Sequence, residues 1–241
     1  MPPRPSKKPD ISVFFPAYNE EANIGALCLK TASVLKKIAG AWEVIAVNDG
    51  SRDRTAAVVE ALHKKQPRIR VVSHKANAGY GAAVKTGFIS AKHEWIFFTD
   101  GDGQFNVEEM ASFLPYLKDH DLVVGYRIDR ADPFMRKANA KAWGTLVRFL
   151  FRLKGVRDID CAFKFVRKDV FKKFKLETTG AMISTELLVK SSKNGLRIME
   201  LGVKHYPRRA GVQTGAKLSV IARAFKELFS YFIKWQLHGY K

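Results

Sequence analysis

The chain is poor in cysteine. Cys28 and Cys161 stand far apart among 241 residues, without the paired spacing of a zinc site. Two distant thiols give no disulfide framework and point to reduced cysteines in a cytosolic setting. No apolar stretch approaches the ~20 residues needed to cross a bilayer, so no membrane span is expected. Residues 1–10 read as a short disordered basic tail rather than an apolar leader. Two common phosphate-binding glycine signatures are missing as well. No G-x-G-x-x-G follows the first apolar run and no G-x-x-x-x-G-K-[ST] occurs anywhere, which disfavours a Rossmann dinucleotide site and a P-loop. Helix-turn-helix, zinc, RNA-recognition and cold-shock signatures are absent too. The isoelectric point of about 10.0 therefore stands without any motif of a nucleic-acid reader.

Acidic residues are scarce in one half only. Residues 1–120 carry 16 Lys/Arg against 13 Asp/Glu, whereas residues 121–241 carry 26 against 10. Such asymmetry points to an anionic partner met by the second half: a phosphorylated substrate, an anionic membrane surface or nucleic acid.

What is present is an alternation of apolar runs and helical patterns, in a chain long enough for one large domain. Runs at 11–15, 42–47, 69–72 and 95–98 read as strands, and 20–38, 52–65 and 78–91 as helices, the second opened by Ser51 as N-cap. This order predicts an α/β fold with a mainly parallel sheet flanked by helices. Downstream, a helix is expected near 107–117, a strand at 121–125, an amphipathic segment at 143–153 and a strand at 161–167. A helix at 181–192 and a strand pair or long bent strand at 197–206 follow. The last helix, 216–238, has Ile221, Phe225, Leu228, Phe232 and Trp235 on one stripe. That stripe suits a membrane interface or packing on the domain.

In a parallel sheet, ligands bind beyond the carboxyl ends of the strands. Three polar clusters fall there: Pro16-Ala17-Tyr18-Asn19-Glu20, Asn48-Asp49-Gly50-Ser51 and Asp100-Gly101-Asp102-Gly103-Gln104. In the third, two carboxylates one residue apart and a carboxamide suit Mg²⁺ or Mn²⁺ completed by substrate phosphates and water. Ordinary turn aspartates are the other reading of the same stretch.

These clusters, in order with Asp53, Thr55 and Asn77-x-Gly79-x-Gly81-Ala82-Ala83, resemble family 2 glycosyltransferases, most closely the polyprenyl-phosphate (dolichyl-phosphate) mannosyl- and glucosyltransferases. The resemblance covers about 11–215. It implies a GT-A fold with a Rossmann-like sheet, a nucleotide-binding half at 11–120, an acceptor half at 121–215 and a C-terminal amphipathic helix at 216–241. It further implies Pro16, Ala17, Tyr18, Glu20, Asp49, Gly79 and Asp100 on the nucleotide. Asp102 is implied as main metal ligand, with Asp100 and Gln104 beside it. Asp158-x-x-Cys161-Ala162-Phe163-Lys164 resembles the acceptor-side signature, with Ala162 where Gly is usual and Lys164 where Arg is frequent. Asp102, Asp158 and Glu186 are the catalytic candidates, and Arg127, Arg136, Lys164, Arg208 and Arg209 the phosphate or acceptor contacts.

The implied reaction is inverting, metal-dependent transfer of mannose or glucose from GDP-mannose or UDP-glucose to a polyprenyl phosphate. It would take place on an anionic membrane, peripherally at the cytoplasmic face, with or without a membrane-spanning partner. The alternative is a sugar-hydroxyl acceptor in cell-envelope polysaccharide or glycan synthesis, which needs a general base such as Glu186.

Overall fold

The structure, a computed structural model, describes residues 8–128, 134–207 and 218–240, with 134–136 and 218–223 described by their backbone alone. The apolar runs become strands because both of their faces are covered. β1 (Ile11–Ala17), β2 (Trp42–Asn48) and β4 (Trp95–Thr99) are buried at every position, as continuous hydrophobic runs in parallel sheets require. α1 (Glu21–Ile38) follows β1, α2 (Thr55–Lys65) follows β2, and α3 (Tyr80–Ser90) joins β3 (Ile69–Ser73) to β4. A 3₁₀ helix (Val107–Tyr116), β5 (Leu122–Ile128), α4 (Phe134–Phe151), β6 (Phe163–Arg167) and a short 3₁₀ turn (Lys168–Lys172) follow. α5 (Ile183–Lys193), β7 (Ile198–Lys204) and α6 (Leu218–His238) complete the order.

One seven-stranded sheet has the order β3-β2-β1-β4-β6-β5-β7, and β6 alone runs antiparallel to its neighbours. Side chains alternate across it. Ile11, Val13 and Phe15 join a core with α1, α2 and the 3₁₀ helix, while Phe14, Ile96 and Phe98 join a second core with α3, α4, α5 and α6. In the second core Phe14 stacks on Phe98 at 5.3 Å and meets Phe88 edge-on at 5.1 Å. Gly87 permits this approach, since a Cβ there would lie 2.2 Å from the Phe14 ring.

Several local expectations are revised. α2 begins at Thr55, not near 52, because the Ser51 hydroxyl accepts from the Asn19 N–H (3.0 Å) and so is not spent on the helix end. The 107–116 segment is 3₁₀ and contains Pro115, whose missing N–H cannot serve an α-helical ladder. α4 starts nine residues earlier than the amphipathic segment suggested and stops at Phe151, before Arg152 turns to φ 52°. Of the two forms expected for 197–206, a single strand is the one found, at Ile198–Lys204.

From Leu228 on, the stripe of α6 faces inward, and the side chain of Ile221 lies outside the described residues. Leu228 and Trp235 are buried, Phe232 meets Phe151 edge-on, and Phe225 meets Trp143. A second apolar line, Phe229, Ile233 and Leu237, is left in solvent.

Asp121 ties the far side of the sheet together. It accepts from the Arg197 N–H (2.9 Å) and pairs with the guanidiniums of Arg167 and Arg197. Burial pushes its pKa up, but that N–H and the two cations outweigh it, leaving the carboxyl below its ordinary range. A depressed folded-state pKa gives stabilisation that is present above the unfolded value of about 3.9 and is lost as pH falls through the folded value. Asp121→Asn should therefore lower unfolding free energy at pH 7 by about 1–3 kcal/mol. Its gap from the parent should narrow in urea melts taken at successively lower pH.

Candidate active site

The carboxyl ends of β1, β2, β4, β5 and β7 lie on one edge of the sheet, and antiparallel β6 brings its amino end to that same edge. β4 ends in Asp100-Gly101-Asp102-Gly103. Gly103 sits at φ +73°, and a Cβ on Gly101 would come within 3.1 Å of the Pro16 carbonyl, so both glycines serve the turn. The Asp100 Oδ1 accepts from the Tyr80 hydroxyl at 2.9 Å, and the Asp102 Oδ1 accepts from the Gln104 N–H at 3.1 Å. Burial, and then the neighbouring Asp102 charge, push Asp100 up to about 7, against the pull of Tyr80, Lys164 and Arg127. A carboxylate whose ionisation is opposed by the charge of the next but one residue, with the Gln104 carboxamide two positions on, is part of a donor set that a hard divalent cation fits. Among the described residues no three His, Cys, Asp or Glu side chains form a ready cage. A cation here would need further oxygens from a substrate. Gln104 is also anchored, its amide nitrogen donating to the Tyr206 carbonyl at 3.1 Å, just past β7.

The loops after β1 and β2 are laced together. Asn19, in the left-handed region at φ 56°, donates its N–H to Ser51 and accepts from the Arg52 N–H at 2.8 Å. The Glu20 N–H donates to Thr55 Oγ1 at 2.9 Å, and Glu20 accepts from the Asn23 amide at 2.7 Å. Pro16 and Ala17 are buried at the end of β1, and Tyr18 is exposed. Asp49 accepts from the N–H groups of Ala78 (2.8 Å) and Gly79 (3.0 Å) and meets His74 Nδ1 at 2.7 Å. Asp49 therefore braces the turn into α3, and His74 passes the contact on to Thr86 at 2.8 Å. Gly79, at φ +99°, and Gly81 are packed under Thr179 and Gly180, where a Cβ would lie 2.8 and 2.5 Å from those carbonyl oxygens.

At the end of β5 Arg127 and Asp158 hold each other in a two-pronged pair of 2.6 and 2.7 Å, both largely buried. Lys164 is fully buried beneath them. Its ammonium donates to the carbonyls of Ile159 (3.3 Å) and Cys161 and lies 5.5 Å from the Phe98 ring. Burial lowers its pKa. Lys164 thus supports the 158–161 turn from below. The Cys161 thiol, pushed up to about 12 by burial, is unreactive packing. Arg208 and Arg209 lie outside the described residues, as does the side chain of Arg136.

Glu186 does not join this edge. It is 0% exposed and accepts from the N–H groups of Glu177 and Thr178 (2.8 Å each) and the Thr178 hydroxyl (2.7 Å), while pairing with Lys190 at 3.0 Å. These bonds fasten the 177–180 turn, which packs on Gly79 and Gly81. Sequence reasoning missed Tyr80, His74 and Lys190. Tyr80 occupies the open position of Gly79-x-Gly81, so only its place in that motif could have marked it. Glu186→Gln should cost about 2–5 kcal/mol of stability, by leaving Lys190 with weaker compensation in a buried site. A Glu186→Gln protein that melts like the parent yet loses activity would return Glu186 to the catalytic candidates.

Residues 12–175 match the family described as Glycosyl transferase family 2. A dolichyl-phosphate beta-glucosyltransferase, ALG5C, of Trichomonas vaginalis is 32% identical over 170 residues, 64% of this chain and 50% of that protein. An undecaprenyl-phosphate 4-deoxy-4-formamido-L-arabinose transferase of Pectobacterium atrosepticum is 28% identical over 88% of this chain and 64% of its own length. The chain thus spans between half and two thirds of these relatives. Among solved structures, mannosyl-3-phosphoglycerate synthase from Rubrobacter xylanophilus superposes with TM-score 0.71 at 16% identity, covering 92% of this chain and 74% of that one. Glucosyl-3-phosphoglycerate synthase from Mycobacterium tuberculosis, solved with Mn²⁺ and UDP, gives 0.67 at 18%, covering 85% and 73%. The fold is GT-A, and with more than half of its length matched, the chain belongs to glycosyl transferase family 2.

Proposed function

We propose that the chain transfers a hexose, mannose or glucose, from a GDP- or UDP-linked donor to a polyprenyl phosphate. The observation that carries this reading is the meeting, on one sheet edge, of the Asp100–Asp102 pair with the Arg127–Asp158 pair and a cationic cavity beyond it. One side suits a cation-bound diphosphate, and the other suits an anionic acceptor. The dolichyl- and undecaprenyl-phosphate relatives support an acceptor of the lipid-phosphate class.

In the reaction an acceptor phosphate oxygen attacks the anomeric carbon from the face opposite the leaving group. The new carbon–oxygen bond forms as the bond to the diphosphate breaks, and the nucleoside diphosphate departs with the electron pair. A phosphate monoester is already ionised near neutral pH, its second pKa being about 6, so the step needs no general base. Asp102, with Asp100 and Gln104, would hold Mg²⁺ or Mn²⁺, which supplies Lewis-acid neutralisation of the leaving diphosphate. Tyr80 fixes one oxygen of Asp100, and Asp49 fixes the Ala78–Gly79 turn that faces the donor. Arg127, oriented by Asp158, adds positive charge where the phosphates meet. The burial of Glu186 counts against the alternative of a sugar-hydroxyl acceptor using that residue as base.

No described helix is long and apolar enough to cross a membrane. The basic second half and the outward Phe229, Ile233 and Leu237 of α6 support a peripheral seat on an anionic membrane, at its cytoplasmic face.

Incubation with Mn²⁺, labelled GDP-mannose or UDP-glucose, and polyprenyl phosphate should yield an organic-soluble labelled product with one donor. Folded protein that labels no lipid from either donor would overturn the reading. Asp102→Ala should abolish transfer and metal-dependent stabilisation by the nucleotide while the protein stays folded. Tyr80→Phe should retain activity but lose about tenfold in kcat/KM, the equivalent of one hydrogen bond to a charged group.

A further inference from the structure

α4 carries two neighbouring faces of opposite character. Lys137, Lys141, Gly144 and Arg148 recur at steps of 4, 3 and 4, and line a cavity of about 380 Å³ closed on its other side by Arg127, Arg157 and the 158–160 turn. Ala138, Ala142, Thr145 and Phe149 recur with the same steps, one residue further round the helix, and line an apolar groove together with Leu146. Lys141 borders both. Phe149 is 78% exposed, an unusual position for a large aromatic ring. The absent side chain at Gly144 leaves room for the Arg148 guanidinium, which would lie 3.0 Å from a Cβ there. Arg148 in turn donates to the Arg157 carbonyl at 2.9 Å, and Arg157 lies over the Tyr126 ring at 4.9 Å.

We infer that these two faces form one bipartite site for a monophosphorylated prenyl chain. The phosphate enters the basic cavity beside Arg127, and the first isoprene units cross Lys141 onto the Ala138–Phe149 groove. The inference rests on the polyprenyl-phosphate reading of the reaction and assigns the residues that select this acceptor. Each rival occupant would use half of the site. A free phosphate needs the cavity and leaves the groove idle, whereas a bilayer surface needs the groove and cannot enter the cavity. An amphiphile with an anionic head and an apolar tail uses both, and the adjacency at Lys141 matches the junction between them. From Ala138 to Phe149 the helix rises about 16 Å, room for several isoprene units. Arg127 and Asp158 line the cavity, and the Arg127 charge is felt at Asp100, so a phosphate lodged there lies on the Arg127 side of the carboxylate pair.

The test is binding of farnesyl phosphate, farnesol and inorganic phosphate to the full-length chain by titration calorimetry, without donor. Lys141, Ala142 and Phe149 are exposed, so Lys141→Glu, Ala142→Asp and Phe149→Asp should fold as the parent does. Farnesyl phosphate should bind about tenfold or more tighter than either fragment, since burial of even two methylene groups is worth that factor. Ala142→Asp and Phe149→Asp should weaken farnesyl phosphate about tenfold and leave inorganic phosphate unchanged, while Lys141→Glu weakens both. Should the groove variants lose only binding to phosphatidylglycerol vesicles and keep farnesyl phosphate, the face is a membrane seat and the inference is wrong. Self-association of the parent that Phe149→Asp abolishes, with farnesyl phosphate affinity intact, would make it a contact between copies and is equally fatal. Unchanged KM for a long-chain acceptor in all three variants of an active enzyme would sink the site but leave the reaction standing. Binding as expected with no transfer to any polyprenyl phosphate would do the reverse.

Discussion

The constraint on which the site depends is the direction of β6. Six strands end at one edge of the sheet, and a seventh parallel strand would have carried its preceding loop to the opposite edge. Because β6 enters antiparallel between β4 and β5, the turn before it is delivered to the edge where β4 ends, with Phe163 opposite Thr99. Aromatic packing helps fix that register: Phe163 meets Phe97 at 4.7 Å and Phe113 at 5.2 Å, and Phe165 meets Phe97 at 4.8 Å. A slip of one residue would turn these rings to the wrong face and carry Asp158 away from Arg127. The catalytic geometry is thus held by apolar side chains that touch no substrate.

The electrostatics of the edge follow from that placement. Asp100 and Asp102 leave β4 side by side in a crowded, partly dry turn, which raises Asp100 toward neutrality. Lys164 and Arg127 stand opposite and pull the other way, but each is committed elsewhere, Lys164 to backbone carbonyls and Arg127 to Asp158. The hydrogen bonds of these two cations are thus spent on Asp158 and on backbone carbonyls. Under the proposed reaction a divalent ion would add counter-charge at the dyad, while Arg127 stands with Asp158 on the other side of the edge.

The sheet and the polar clusters at its strand ends were legible in the sequence because parallel strands are continuous apolar runs and their ends carry the polar residues. Asp100 and Asp102 fall at the end of β4 as expected, whereas the bonds that lace Asn19, Ser51 and Asp53 between the two loops were not foreseen. What stayed hidden depended on long-range partners. Glu186 on a helix reads the same whether it faces solvent or, as here, three donors from a turn nine residues upstream. The α6 stripe has one apolar periodicity in the sequence, but only the packing of Leu228 and Trp235 decides which side faces inward. Lys164 was expected at the acceptor phosphate from its place in the Asp158-x-x-Cys161-Ala162-Phe163-Lys164 signature. Alternation along β6 buried it instead, and the strand's direction could not be read from its residues. Ser51 stands before a helical pattern, yet its hydroxyl is claimed by a residue 32 positions earlier.

One brace joins the surface helix to the donor side. Lys234 on α6 pairs with Glu177, Glu177 pairs with Lys190 at 3.0 Å, and Lys190 pairs with Glu186, which holds Thr178. The next residue, Thr179, accepts from the Ala82 N–H at 3.2 Å, and Gly180 approaches the Glu227 carboxylate of α6. Tyr80, on the adjoining turn, reaches Asp100. The inner links are the dry ones, since Lys190 and Glu186 are fully buried, whereas the Lys234–Glu177 pair that α6 supplies is partly exposed and worth little by itself. The apolar face that α6 leaves in solvent and the turn that caps the donor loop are therefore parts of one packed unit. α6 is thereby tied, through the Lys234–Glu177–Lys190–Glu186 chain, to the turn that packs on Gly79 and Gly81.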